Sequence, residues 1–275
     1  MRALRITALA LVAVPALAGG AAAKKDPNPC LIPDQAAQLR CPDLVMKPPY
    51  GLYLDTFSHP GHALLRAGNS IDSIGQGPAE LHGRRIGNTY FMRARQRIYR
   101  KGGGRIGLNT GARLYFKFAH EQRRWWKLLH AAEFRLFRLN RQGKRTHVVR
   151  HGPKVAYCLR DLRRTRPGRP GSPPRRHYPA CNTNVHMRGV TLGTSIGWSD
   201  QYPATYPEQW IDVTGLRGCF AYTERADPRN GIYESNEQNN EAYVVVRLPF
   251  RYRNPRGGCR GGGPTPKKDS PNEEY

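Results

Sequence analysis

The stretch RLYFKFA, Arg113 to Ala119, alternates apolar and polar side chains, with Leu114, Phe116 and Phe118 on one face and Tyr115 and Lys117 on the other. Successive side chains of an extended chain point to opposite sides, so this period of two marks a half-buried strand. The pattern recurs. MRARQRIYR alternates from Met92 to Arg100, and EFRLFRL, WIDVT, CFAYTER and EAYVVVRL are β-like. HALLRAGNSID runs on without helix caps, and HVVRHGPKVAYCL reads as two short strands. The segments GQGP, KGGG and RQGK supply turns. Many short strands with turn signals roughly every ten residues predict an all-β fold, an antiparallel β-sandwich in a single domain. Leu128 to Phe137 also carries good helix formers, so strand and helix both stay open there.

The first 23 residues read as a signal peptide. Arg2 and Arg5 form a charged start, Ile6 to Ala18 is a largely apolar run, and Ala21-x-Ala23 marks a cleavage site before Lys24. That run is too short to span a bilayer and no later segment is longer, so the sequence predicts no membrane span and a secreted protein. Residues 24–50 are punctuated by Pro and Cys and read as an extended lead-in, and the folded domain is expected over 24–253. The tail 254–275 is of low complexity and is expected to be disordered. Cysteines 30, 41, 158, 181, 219 and 259 all follow the signal. An even number in an exported chain favours disulfides. Proximity in sequence suggests Cys30–Cys41, Cys158–Cys181 and Cys219–Cys259. No C-x-x-C motif is present, which excludes a zinc ribbon or thioredoxin-type site.

The net charge is +25, with 35 arginines against 10 lysines. Such a surface attracts polyanions: cell-wall polymers, acidic polysaccharide, nucleic acid or anionic lipid. For an exported chain an anionic wall or matrix polymer is the expected partner, and no specific nucleic acid is. Base composition of the coding sequence and simple solvation account equally well for much of the charge. The densest stretch is the Arg/Pro-rich arm 160–176, RDLRRTRPGRPGSPPRR, with seven arginines, four prolines and one acid. It has too little apolar surface to form a core, reads as an exposed loop or flexible arm, and is the strongest local anion-binding candidate.

The C-terminal third carries GWSDQYPATYPEQWIDVTGLRG and then ESNEQNNEAYVVVRL. Upstream stands GPKVAYCL, Gly152 to Leu159. Together these resemble the catalytic domain of the lysyl oxidase family. That family has D-x-Y before Q-W-I-D-[IV]-T, an E-S-x-x-x-N-N turn, and G-x-K-x-x-[FY]-C-L. The likeness runs from about Cys41 to Phe250, and the two longer motifs are specific only in combination. It implies a β-sandwich, a copper ion held by three histidines of H-x-H-x-H, and a quinone made from a lysine and a tyrosine. That quinone oxidises primary amines to aldehydes. The family's lysine falls on Lys154 and its tyrosine on Tyr202, eight residues before Trp210. Without the resemblance, Lys154 reads as an exposed turn lysine and Tyr202 as a packed loop aromatic.

The copper ligands do not carry over. Setting the family's F-H-x-x-H-x-H-[WY]-H near Phe118 and His120, with its aromatic on Trp126, puts the three ligand slots on Arg123, Trp125 and Lys127. Arginine keeps its proton, lysine is a cation unless desolvated, and indole has only an N–H donor. A shift of three residues puts His130 on the last slot but leaves Leu128 and Trp126 on the others. The remaining histidines, among them His59, His62, His147 and His151, form no triplet along the sequence. Two cations in the outer slots suggest replacement of the metal's charge, with Glu121, Glu133 and Asp161 as candidate partners. Asp200 and Asp212 flank the aromatic segment as further candidate acids or bases.

The sequence therefore predicts an exported, lysyl-oxidase-like protein without copper or quinone and without catalysis, which binds anionic envelope or matrix polymers. The alternative is an active copper-dependent amine oxidase with a copper ion and a lysine-tyrosine quinone, acting on protein lysines or other primary amines.

Overall fold

A computed structural model describes residues 24–117 and 124–268. A short turn of 3-10 helix, Pro29–Leu31, and the helix α1, Pro33–Gln38, precede eighteen strands. In chain order these are β1 Leu39–Arg40, β2 Leu44–Met46, β3 Tyr50–Asp55, β4 Leu64–Ser73, β5 Ala79–Arg85 and β6 Phe91–Arg100. Next come β7 Arg105–Leu108, β8 Arg113–Lys117, β9 Trp125–Leu129, β10 Ala132–Leu139, β11 Arg145–His151 and β12 Ala156–Tyr157. The last six are β13 Arg163–Arg164, β14 Gly189–Thr194, β15 Trp198–Tyr202, β16 Trp210–Asp212, β17 Gly218–Ala226 and β18 Glu241–Leu248.

Every pairing among them is antiparallel. The first sheet runs β12-β9-β8-β6-β5-β14, with β1 and β7 also on β6. The second runs β11-β10-β17-β18, and the third β13-β15-β4-β16, with β2 and β3 also on β4. The sheets curl into a sandwich around one main core, as the alternating pattern predicts. Leu114, Phe116, Trp126 and Leu128 of the first sheet belong to the same apolar cluster as Phe134, Leu136, Phe220 and Val244 of the second. β4 is buried at all ten positions, which explains a sequence that lacks clean alternation.

Leu128 to Phe137 contains no helix. β9 ends at Leu129, His130 turns with φ 59°, and β10 begins at Ala132 in another sheet. β10 pairs on both edges, with β11 and β17, and these backbone ladders outweigh local helix propensity. The lead-in is less extended than its prolines suggested, because Pro33 occupies the first turn of α1.

The disulfides are Cys30–Cys41, Cys158–Cys181 and Cys219–Cys259. The third bridge ties part of the 254–275 tail, expected from the sequence to be disordered, to β17. Arg256 donates to the carbonyls of Cys259 and Gly263, and the Gly51 N–H donates to Lys267 O at 2.9 Å. Residues 269–275, like residues 1–23, read from the sequence as a signal peptide, lie outside the described residues.

The Arg/Pro-rich segment is an anchored loop. Asp161, fully buried, accepts from the backbone N–H groups of His177, Tyr178 and Ser195 at 2.7–3.1 Å and from Ser195 Oγ at 2.8 Å. Arg164 closes the loop on Ser172, Trp198 Nε1 donates to Pro173 O at 3.0 Å, and β13 pairs with β15. Backbone and side-chain hydrogen bonds hold the segment where an apolar core does not.

Candidate active site

Lys154 sits in the bend between β11 and β12. Gly152 makes the bend possible: a Cβ there would lie 2.7 Å from Trp210 O and 2.9 Å from Phe134 Cβ. The Gly152 N–H donates to Phe134 O, and Pro153 then directs the chain inward. An exposed turn lysine is not what results, since Lys154 is 3 % exposed. Its Nζ donates to Pro207 O at 3.2 Å and lies 4.9 Å from the ring centres of both Tyr157 and Tyr202.

Tyr202 ends β15. Its hydroxyl donates to Cys158 O at 3.2 Å, which ties it to the strand held by the Cys158–Cys181 bridge. Its ring meets Tyr157 and Tyr206 edge-on at 4.7 and 5.3 Å. Burial pushes both the Tyr202 and Tyr157 hydroxyls well above the usual phenol range. The Tyr157 hydroxyl accepts from Asn69 Nδ2 at 2.8 Å and Gln209 Nε2 at 3.3 Å. Gln209 thus explains the first residue of QWIDVT: it fixes the aromatic partner of Lys154.

The cations come from the first sheet. Trp125 and Lys127 share one face of β9, and Lys117 of β8 pairs across from Trp125. Lys127 is buried, and its pKa is lowered by desolvation and then by the Lys117 charge, with Glu208 and Asp200 opposing. Lys117 Nζ meets both Glu208 oxygens at 2.6 Å. Lys154 is held down to about 7, first by burial and then by the Lys127 charge. Asp200, on β15, is fully buried, and neither of its oxygens has a hydrogen-bond donor at normal distance among the described residues. Burial raises its pKa well above the carboxylate range, opposed by Arg160, Lys154 and the Tyr202 hydroxyl. That hydroxyl bonds the Cys158 carbonyl, so its effect on Asp200 is the weaker one.

The expected residues are thus placed unevenly. Lys154, Tyr202 and Lys127 converge with Trp125 nearby, whereas Arg123, His120 and Glu121 lie outside the described residues. Two proposed acid partners are engaged elsewhere: Glu133 with Arg135 and His151, and Asp161 with the anchored loop. Glu208, Lys117 and Tyr157 were missed. Lys117 left a signal as the polar position of an alternating strand, and Tyr157 as the aromatic of GPKVAYCL.

The other histidines scatter. His62 Nδ1 lies 2.6 Å from Asp212, the His59 ring lies tilted against Trp210 at 5.5 Å, and His147 and His151 are exposed on β11. Asp212 is a strand-end residue, also bonded by Thr214. In ESNEQNN, Glu234 is buried and accepts from Asn240 Nδ2 and the Leu44 N–H, so this motif pins β2.

The lysyl oxidase family model matches residues 85–254, more than half of the chain. The chain belongs to the lysyl oxidase family. No individual curated protein is significantly similar to it. Lysyl oxidases use copper and a lysine-tyrosine quinone and are extracellular, and three disulfides are consistent with such a setting. Trp125 and Lys127, the two β9 side chains that the resemblance sets in ligand slots, do not fit the family's metal. Trp125 has no lone pair to give, and Lys127 adds positive charge beside Lys117 and Lys154. Among the described residues no group of three or more His, Cys, Asp or Glu is placed to hold an ion.

Proposed function

We propose that this lysyl oxidase family member is exported, copper-free and non-catalytic, and that it binds anionic envelope or matrix polymers through its basic surface. The observation that carries the reading is Lys127, a buried amine beside Lys154, on the strand face where the resemblance puts copper ligands. In its protonated form Lys127 repels Cu²⁺ and supplies positive charge to Asp200 and Glu208 without a metal. The apolar run of residues 6–18 and the three disulfides support export. The net charge of +25 supports a polyanionic partner.

The test is copper per chain, on protein exported in copper-supplemented medium and dialysed against a weak chelator. It is paired with a search for a visible band and a coloured phenylhydrazine adduct. Copper near zero and no adduct are expected. One copper per chain with a coloured adduct overturns the reading in favour of the second one, an active copper-dependent amine oxidase acting on protein lysines or other primary amines. The closeness of Lys154 to the Tyr202 ring favours that second reading. Binding of the full chain to immobilised heparin and teichoic acid tests the polymer half.

A further inference from the structure

The outward face of the first sheet places like charges in register. Arg84 of β5 stands directly across from Arg93 of β6, and Arg93 directly across from Arg113 of β8. All three are exposed, and none forms a hydrogen bond or ion pair with another described residue. The next row sets His82, which lies beside Thr191 Oγ1, opposite Arg95, which donates to the Gly107 carbonyl. Only in the third row does an acid appear, Glu80 opposite Arg97, and Glu80 is already held by Arg97, Tyr99 and Tyr178. Between the first two rows lies a hollow of about 510 Å³, whose lining contains no Asp or Glu.

Like charges directly opposite each other weaken a sheet. Neighbouring strands lie about 4.8 Å apart, and side chains on one face repeat about every 6.7 Å along them. Such a lattice is relieved by a ligand with repeated anionic groups, and guanidinium forks suit sulfate and carboxylate oxygens. Beside the first row Phe91 and Tyr115 stand exposed or half-exposed, stacked face to face at 4.8 Å and 20°. Their faces are turned to one another, so they form an apolar bank and not an open platform for nucleobases.

We infer that the Arg84–Arg93–Arg113 face is a docking surface for an acidic polysaccharide. This deepens the polymer-binding reading above and rests on it. It also moves the contact away from the Arg/Pro-rich loop. There, Arg164 and Arg176 are already spent on Ser172 and on the carbonyls of Pro167 and Leu162.

The test compares the full exported chain with two variants of equal charge change, Arg84→Gln/Arg93→Gln/Arg113→Gln on the sheet and Arg166→Gln/Arg169→Gln/Arg175→Gln on the loop. Affinity for immobilised heparin and polygalacturonate is measured as a function of salt. The sheet variant is expected to lose at least about tenfold in affinity, and its slope against log salt to shrink by about three, one for each lost contact. The loop variant is expected to change less than about threefold. Binding to either polymer that the sheet variant loses and the loop variant keeps supports the surface, and comparing the two polymers separates sulfate from carboxylate. Equal losses in the two variants, or an undiminished sheet variant, overturn the docking surface while leaving polymer binding intact. Displacement by a single-stranded DNA oligomer at lower concentration than by polysaccharide overturns the ligand class. Absence of binding by the unaltered chain at physiological salt overturns the function itself.

Discussion

Lys154 Nζ lies equidistant, at 4.9 Å, from the ring centres of Tyr157 and Tyr202, and its hydrogen-bond acceptor is the Pro207 carbonyl. A nearly buried amine held by two rings and a neutral oxygen is in a poor setting for its proton. Burial and then the Lys127 charge bring its pKa to about 7, against 10.5 for a free lysine. Between those values the unfolded chain binds the proton and the folded chain does not. The Lys154 contribution to stability therefore rises with pH through that window, and is lost as pH falls to 7. The urea midpoint of the wild type relative to Lys154→Met is expected to be higher at pH 9.5 than at pH 6.5. A difference independent of pH would show that Lys154 is solvated.

Gly152→Ala tests the bend that delivers Lys154. The added methyl meets Trp210 O and Phe134 Cβ inside 3 Å, and both belong to the folded body. A loss of about 1–3 kcal/mol is expected from urea unfolding, as for other overpacked positions. A neutral result would mean that β10 and β16 yield easily at this point.

Asp161→Ala tests the anchor of the arginine loop. One carboxylate serves three backbone N–H groups and a hydroxyl. Its removal leaves buried donors without an acceptor, at a cost of about 1–3 kcal/mol. Hydrogen exchange is expected to quicken at least about tenfold at the amides of His177, Tyr178 and Ser195, and to change little in β17. Uniform quickening would assign Asp161 to global stability instead.

Trp125→His/Lys127→His tests whether the lysine excludes copper. The double change removes one cation and places two imidazoles at i and i+2 of β9, on one face. Copper retained after dialysis is expected to rise well above that of the unaltered chain. No gain would mean that the strand face lacks room or a third donor.

The strands were legible because alternation is a local property. Leu114 and Phe116 are buried while Tyr115 and Lys117 stay partly exposed, as their order along the chain requires. The disulfides were legible from proximity alone. The strand at Ala132–Leu139 was ambiguous because its edges are satisfied by β11 and β17, far along the chain. Of the residues grouped around Lys154, a motif marked Lys154 itself, Tyr157 and Tyr202 in the sequence. Glu208 gave no sign, because a carboxylate becomes significant here through burial and neighbours from other strands, whereas Asp200 was marked by its place beside the aromatic segment. The anchored loop misled for a related reason. Its composition correctly denied it a core, but one buried acid, Asp161, supplies the order that composition cannot show.

The row Arg84–Arg93–Arg113 also bears on when the molecule is durable. Dissolved ions screen repulsion between exposed charges, over a distance that shrinks to about 8 Å at physiological strength. This part of the fold is thus expected to resist heat better in brine than in dilute buffer, whereas a surface held by exposed ion pairs would weaken. A bound polyanion does the same more strongly, because any ligand that prefers the native state protects it. The sheet is expected to be least robust in dilute solution and to toughen on contact with a polyanion, so its durability is tied to the ionic setting in which it comes to rest.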